Sequence, residues 1–102
     1  MARSRLELQS VLEEILGSRN VYFQPPESFK LKYPCILFEL SDIWVDHADD
    51  DIYRKFKQYM ITAIDKDPDS GLPDKINDLK YCEMDRFYVS NNLNHWVFTL
   101  YF

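Results

Sequence analysis

Between residues 3 and 16 the apolar side chains Leu8, Val11, Leu12, Ile15 and Leu16 recur at spacings of three and four, with Glu7, Glu13 and Glu14 off that line. This is the stripe of an amphipathic helix whose one face seeks a core. Gly17 supplies the stop, because glycine enters the left-handed backbone that closes a helix without steric cost. Val21 to Phe23 reads as a short strand. Pro25 and Pro26 end it, since neither can donate a ladder hydrogen bond. The stretch VYFQPPESFKLKYP is too polar for a core and too aromatic for a bare linker. It predicts an extended arm or loop that touches something.

A period of two governs CILFELSDIWV, residues 35–45, with Ile36, Phe38 and Leu40 on one face and Cys35, Leu37 and Glu39 on the other. After the polar turn DHADDD (46–51), residues 52–65 place Ile52, Phe56, Met60 and Ile64 on one face. Tyr53, Tyr59, Ile61 and Ala63 take the other. The two runs predict a long hairpin with an acidic tip, apolar on both sides at its base and therefore expected to be covered on both. In KDPDSGLPDKINDLKY a loop precedes a short helix, with Pro73 in its first turn and Leu72, Ile76 and Leu79 facing inward.

The segment CEMDRFYV–SNNLN–HWVFTLYF predicts a second hairpin with an asparagine-rich turn. Its last strand sets Trp96, Phe98, Leu100 and Phe102 against His95, Val97, Thr99 and Tyr101. Burying large apolar side chains is worth roughly 1.5–3 kcal/mol each. The strand is therefore expected inside a sheet, with a helix on its Trp96 face and Phe102 at least partly buried. The element order predicts an α+β fold: one small domain spanning 1–102, with a mainly antiparallel sheet of two hairpins. The N-terminal helix and the short second helix pack on it.

Composition narrows the function classes. The chain of 102 residues has room for one domain, and its 2 glycines exclude a glycine-rich phosphate loop or dinucleotide fingerprint. A net charge of −5 argues against a nucleic-acid grip. The nearby Arg54, Lys55 and Lys57 read as a solvated strand face. Apolar runs fall short of the ~20 residues a membrane helix needs, so no membrane partner is expected. MARSRLELQS lacks the apolar region of a secretory signal, which leads us to expect a chain made in a cytoplasm with Cys35 and Cys82 reduced and buried.

Candidate chemistry is thin. Cys82 and His95 lie on neighbouring strands of the last hairpin, the one pairing that could bring a thiol to a base. His47 with Asp46, Asp49, Asp50 and Asp51 has carboxylates for a hard cation, but lacks the bend glycine and downstream glutamate of a calcium loop. The expectation is no catalytic, cofactor or metal residues, and so no enzyme. The stronger signal is aromatic excess: 7 Tyr, 7 Phe and 2 Trp exceed what so small a core readily hides, which favours a protein interface.

The N-terminal helix, YPCILFEL, YMITAIDKDPDS with its LPDKINDL helix, and the closing CEMDRFYVSNNLNHWVFTLYF together resemble the tail-terminator, or tail-completion, proteins of long-tailed bacteriophages. The resemblance covers nearly the whole chain in element order, size and phrasing. It implies a structural virion subunit that assembles with copies of itself into a ring, expected to be six-fold, at the head-proximal end of the tail. There it would stop growth of the tail tube protein and present a docking face to the head connector or stopper protein. Genome DNA would pass through the lumen without specific binding. The acidic balance and the two-sided apolar hairpins suit that role. The arm at Pro25, Pro26 and Phe29 and the long hairpin at Trp44, His47 and Tyr53 are the expected inter-subunit contacts. The alternatives are a head-completion protein of the same virion neck, or a small enzyme or binding module using Cys82 and His95.

Overall fold

The computed structural model describes residues 4–47 and 53–102, the side chains of 44–47 and 53–56 excepted. Helix α1 (Arg5–Leu16) starts at Arg5, because Ser4 has extended backbone (φ −74°, ψ 151°) and caps the helix, its hydroxyl accepting from Glu7 N–H. Leu8 and Leu12 are fully buried, with Ile15 and Leu16 packed beside them. Gly17 closes the helix in the left-handed region at φ 79° and donates its N–H to Glu13 O at 2.8 Å. Gln9 Nε2 donates to Val21 O at 2.8 Å and ties the helix to the first strand.

Strands β1 (Val21–Phe23), β2 (Cys35–His47), β3 (Tyr53–Asp65), β4 (Cys82–Ser90) and β5 (Leu93–Tyr101) form one sheet in the order β1-β2-β3-β5-β4. β1 pairs with β2 in parallel, whereas the other neighbours are antiparallel. The sheet is thus mixed but mainly antiparallel, an α+β fold of two hairpins with both helices packed on it. β5 lies inside, as its apolar face requires. The β4–β5 turn holds Asn91 and Asn92 at φ 52° and 63°. Positive φ at both central residues is what a two-residue hairpin turn demands, and asparagine tolerates it.

The core lies on one face, where Ile36 and Phe38 of β2, Tyr59, Ile61 and Ala63 of β3, and Trp96, Phe98 and Leu100 of β5 meet α1. Helix α2 (Leu72–Asn77), with Pro73 in its first turn, adds Leu72 and Ile76, with Leu79 packed beside them. Phe102 packs partly into the same cluster and exchanges backbone hydrogen bonds with Lys57.

The expectation of cover on both faces is met only in part. Both helices take the same side, because only there do large side chains line up across four strands. On the other side Cys35, Ile64 and Val97 are buried and Leu37 and Met60 half-buried, with no helix over them among the described residues. Tyr22 alternates with the inward Val21 and Phe23, and its ring lies 4.9 Å from that of Phe29. The arm from β1 to β2 therefore returns on the helix-free side.

Simple alternation fails at two bulges. In β2 the register shifts between Leu40 and Asp42, where Ser41 Oγ donates to Gln58 O at 3.0 Å, and Leu40 is exposed rather than buried. In β4 it shifts between Met84 and Arg86, which places Phe87 opposite Trp96 with their rings 5.6 Å apart. Beyond Lys57, which pairs with Phe102 just after β5, β3 is laddered to β2 alone, so the long hairpin runs out past the sheet.

Fully buried Phe98 at the sheet centre should be costly to lose. Phe98→Ala is expected to destabilise by about 3–5 kcal/mol in chemical denaturation, a large part of the ~5–15 kcal/mol of a whole domain. Phe87→Ala should cost less than about 1 kcal/mol, because its ring is half in solvent. Equal losses would contradict this placement of the core.

Candidate assembly surface

β4 is an edge strand of nine residues, eight of them exposed. Among the described residues only β5 pairs with it, so its outer backbone N–H and C=O groups face away from the sheet. Edge strands are ordinarily kept short or guarded with lysine or proline to prevent association. β4 contains neither residue, and its single bulge is at Asp85. On the helix side Met84, Phe87 and Val89 are 46%, 47% and 60% exposed, although α2 lies beside the strand. On the reverse, Tyr88 stacks on His95 at 4.6 Å, their planes 11° apart. Apolar side chains on both faces of an open strand edge form a surface of the kind that marks protein contacts.

The expected contact residues lie elsewhere. Pro25, Pro26 and Phe29 sit in the arm after β1, at the sheet edge opposite β4. Pro26 is exposed and Phe29 45% exposed, while Pro25 is half-buried. Trp44, His47 and Tyr53 are strand residues on the outer part of the long hairpin, and their side chains lie outside the described residues. So do residues 48–52 of the acidic tip and the side chains of Arg54 and Lys55. None of the expected contacts lies on β4, whose FYV run follows Asp85 and Arg86. A strand destined for burial does not place adjacent charges within such a run.

The candidate thiol–base pair is not assembled. Cys82 stands opposite Leu100 and packs toward the core, whereas His95 stands opposite Tyr88 on the other face of the sheet. His95 Nδ1 is 3.0 Å from Leu93 O, within its own strand. A cleft of about 200 Å³ between the helices and the β3 end brings Asp65, Ser70 and Lys75 to its rim, and one of about 140 Å³ lies by Leu37 and Met60. Both are below the ~300–1,000 Å³ of typical ligand pockets. Among the described residues no group of three or more His, Cys, Asp or Glu could hold a metal ion. No described helix is long and apolar enough to cross a membrane.

Both cysteines are poor nucleophiles. Burial, with Asp65 nearby, pushes the Cys35 thiol from 9.0 up to about 12. Burial, with Glu83 adjacent, pushes Cys82 from 9.0 up to about 11. Burial also raises the Tyr59 hydroxyl. A folded-state value above the unfolded one contributes stability that is complete below pH 9 and is lost as pH climbs through the folded value. The melting temperature should therefore fall between pH 9 and about 12, and folded protein at pH 8 should react with a thiol reagent far more slowly than unfolded protein. Rapid labelling of either cysteine at pH 8 would contradict this reading.

No family model matches this sequence, and neither does any curated protein.

Proposed function

We propose that this chain is a structural, self-associating subunit of a bacteriophage virion, forming a ring at the head-proximal end of the tail. In this reading it stops polymerisation of the tail tube and joins the tail to the head connector, with no catalytic role. The observation that carries it is the pair of unsatisfied edges: exposed, apolar β4 at one side of the sheet and the proline-rich arm at the other. Two different surfaces on opposite sides of one subunit suit a head-to-tail contact, and such contacts close into rings when the rotation per subunit divides a full turn. The resemblance to tail-terminator proteins supplies the location.

The reading also accounts for the charge. A net charge of −5 disfavours adhesion of phosphate backbones, as a passage for DNA requires. Six copies, each adding an interface, would let a subunit of 12.3 kDa bury aromatic side chains it cannot enclose alone.

Purified protein mixed with tails assembled in its absence should appear in negative stain as one additional layer at the upper end, and should arrest further elongation. Incorporation along the whole tube would make it a tube subunit and overturn the proposal. Attachment to filled heads but not to tails would make it a head-completion protein instead.

A further inference from the structure

The arm between β1 and β2 contains a strand pattern that no ladder uses, although Phe29 at its start rests on Tyr22. In SFKLKY, residues 28–33, Phe29, Leu31 and Tyr33 alternate with Ser28, Lys30 and Lys32. That is the period of a strand. No ladder pairs it, and residues 30–33 make no hydrogen bond among the described residues. Phe29 N–H donates within its own turn, to Pro26 O at 3.0 Å. Apart from half-buried Leu31, these six side chains are exposed.

We propose that residues 28–33 of one copy add as a strand to the outer edge of β4 in the next copy. The proposal deepens the self-association argued above and rests on it. Strand addition would satisfy two sets of backbone groups that are unpaired in the single subunit, the mode by which extended segments join open sheet edges. Six residues at ~3.3 Å each span about 20 Å and fit within the nine-residue β4.

The side chains are complementary. Lys30 and Lys32 have no acidic neighbour within the segment, whereas β4 sets exposed Glu83 and Asp85 against the single Arg86. The apolar row of Phe29, Leu31 and Tyr33 meets a strand whose Met84, Phe87 and Val89 have no cover. A subunit cannot make this contact with itself, because the remaining strands separate its arm from its β4 edge. Pairing is therefore head-to-tail, and each copy uses both edges.

The test exchanges the charges. An arm variant carries Lys30→Glu and Lys32→Glu, and an edge variant carries Glu83→Lys and Asp85→Lys. All four positions are exposed, so both variants should melt like the parent chain. In sedimentation velocity over a concentration series, each variant alone should associate about tenfold or more weakly than the parent, since like charges then face each other. An equimolar mixture should regain association, because every arm then meets an edge of opposite sign. Parent-like association of both variants, or a mixture as weak as its parts, overturns the arm-to-edge pairing and leaves self-association standing. A parent chain that stays monomeric at every concentration and on tails removes self-association itself, and this pairing with it.

Discussion

Trp96, Phe98 and Leu100 point from an inner strand toward the helices, and burying that row dictates where the remaining elements can lie. Ordering each backbone residue costs roughly 1–2 kcal/mol, so a chain of 102 residues must concentrate its large side chains on one surface. It does so by stacking α1 through Leu8 and Leu12, and α2 through Leu72 and Ile76, on one side of the sheet. β3 and β4 then flank β5 as hydrogen-bonding partners. α1 lies beside β1 and β2, and α2 beside β4. What they leave uncovered, chiefly β4 beyond Cys82, stays in solvent with apolar side chains attached.

That imbalance links fold to function. The subunit satisfies its centre and leaves its flanks open, and the two flanks differ: a laddered apolar strand on one side, and an unladdered basic arm on the other. Here both thiols are driven toward the neutral form by burial, and His95 is occupied by a neighbouring ring and a carbonyl of its own strand.

Much of this was legible from residue order. The stripe of α1, Gly17 as its stop, both hairpins, the inward face of β5 and the inward residues of α2 all follow from periodicity and turn chemistry. The missed features share one cause. A bulge leaves no mark in an alternating pattern, so the shift at Asp85 that swings Phe87 onto the face of Trp96, and the shift at Ser41 in β2, were invisible. The parallel pairing of β1 is equally hidden, since three residues carry no directional signal. The expected contacts in the arm fall on the surface, as the proline pair suggested. The exposure of β4 depends on how the helices settle on the sheet, a property of the assembled fold.

In the proposed assembly the open flanks, and not the core, meet the neighbouring copies. Hydrogen exchange followed peptide by peptide, at concentrations below and above association, tests this most directly. Exchange should slow on assembly in residues 82–90 and in the arm at 28–33, while α1 and β5 remain equally protected in both states. Assembly that leaves 82–90 exchanging freely, or that changes protection mainly in α1 and β5, would contradict it.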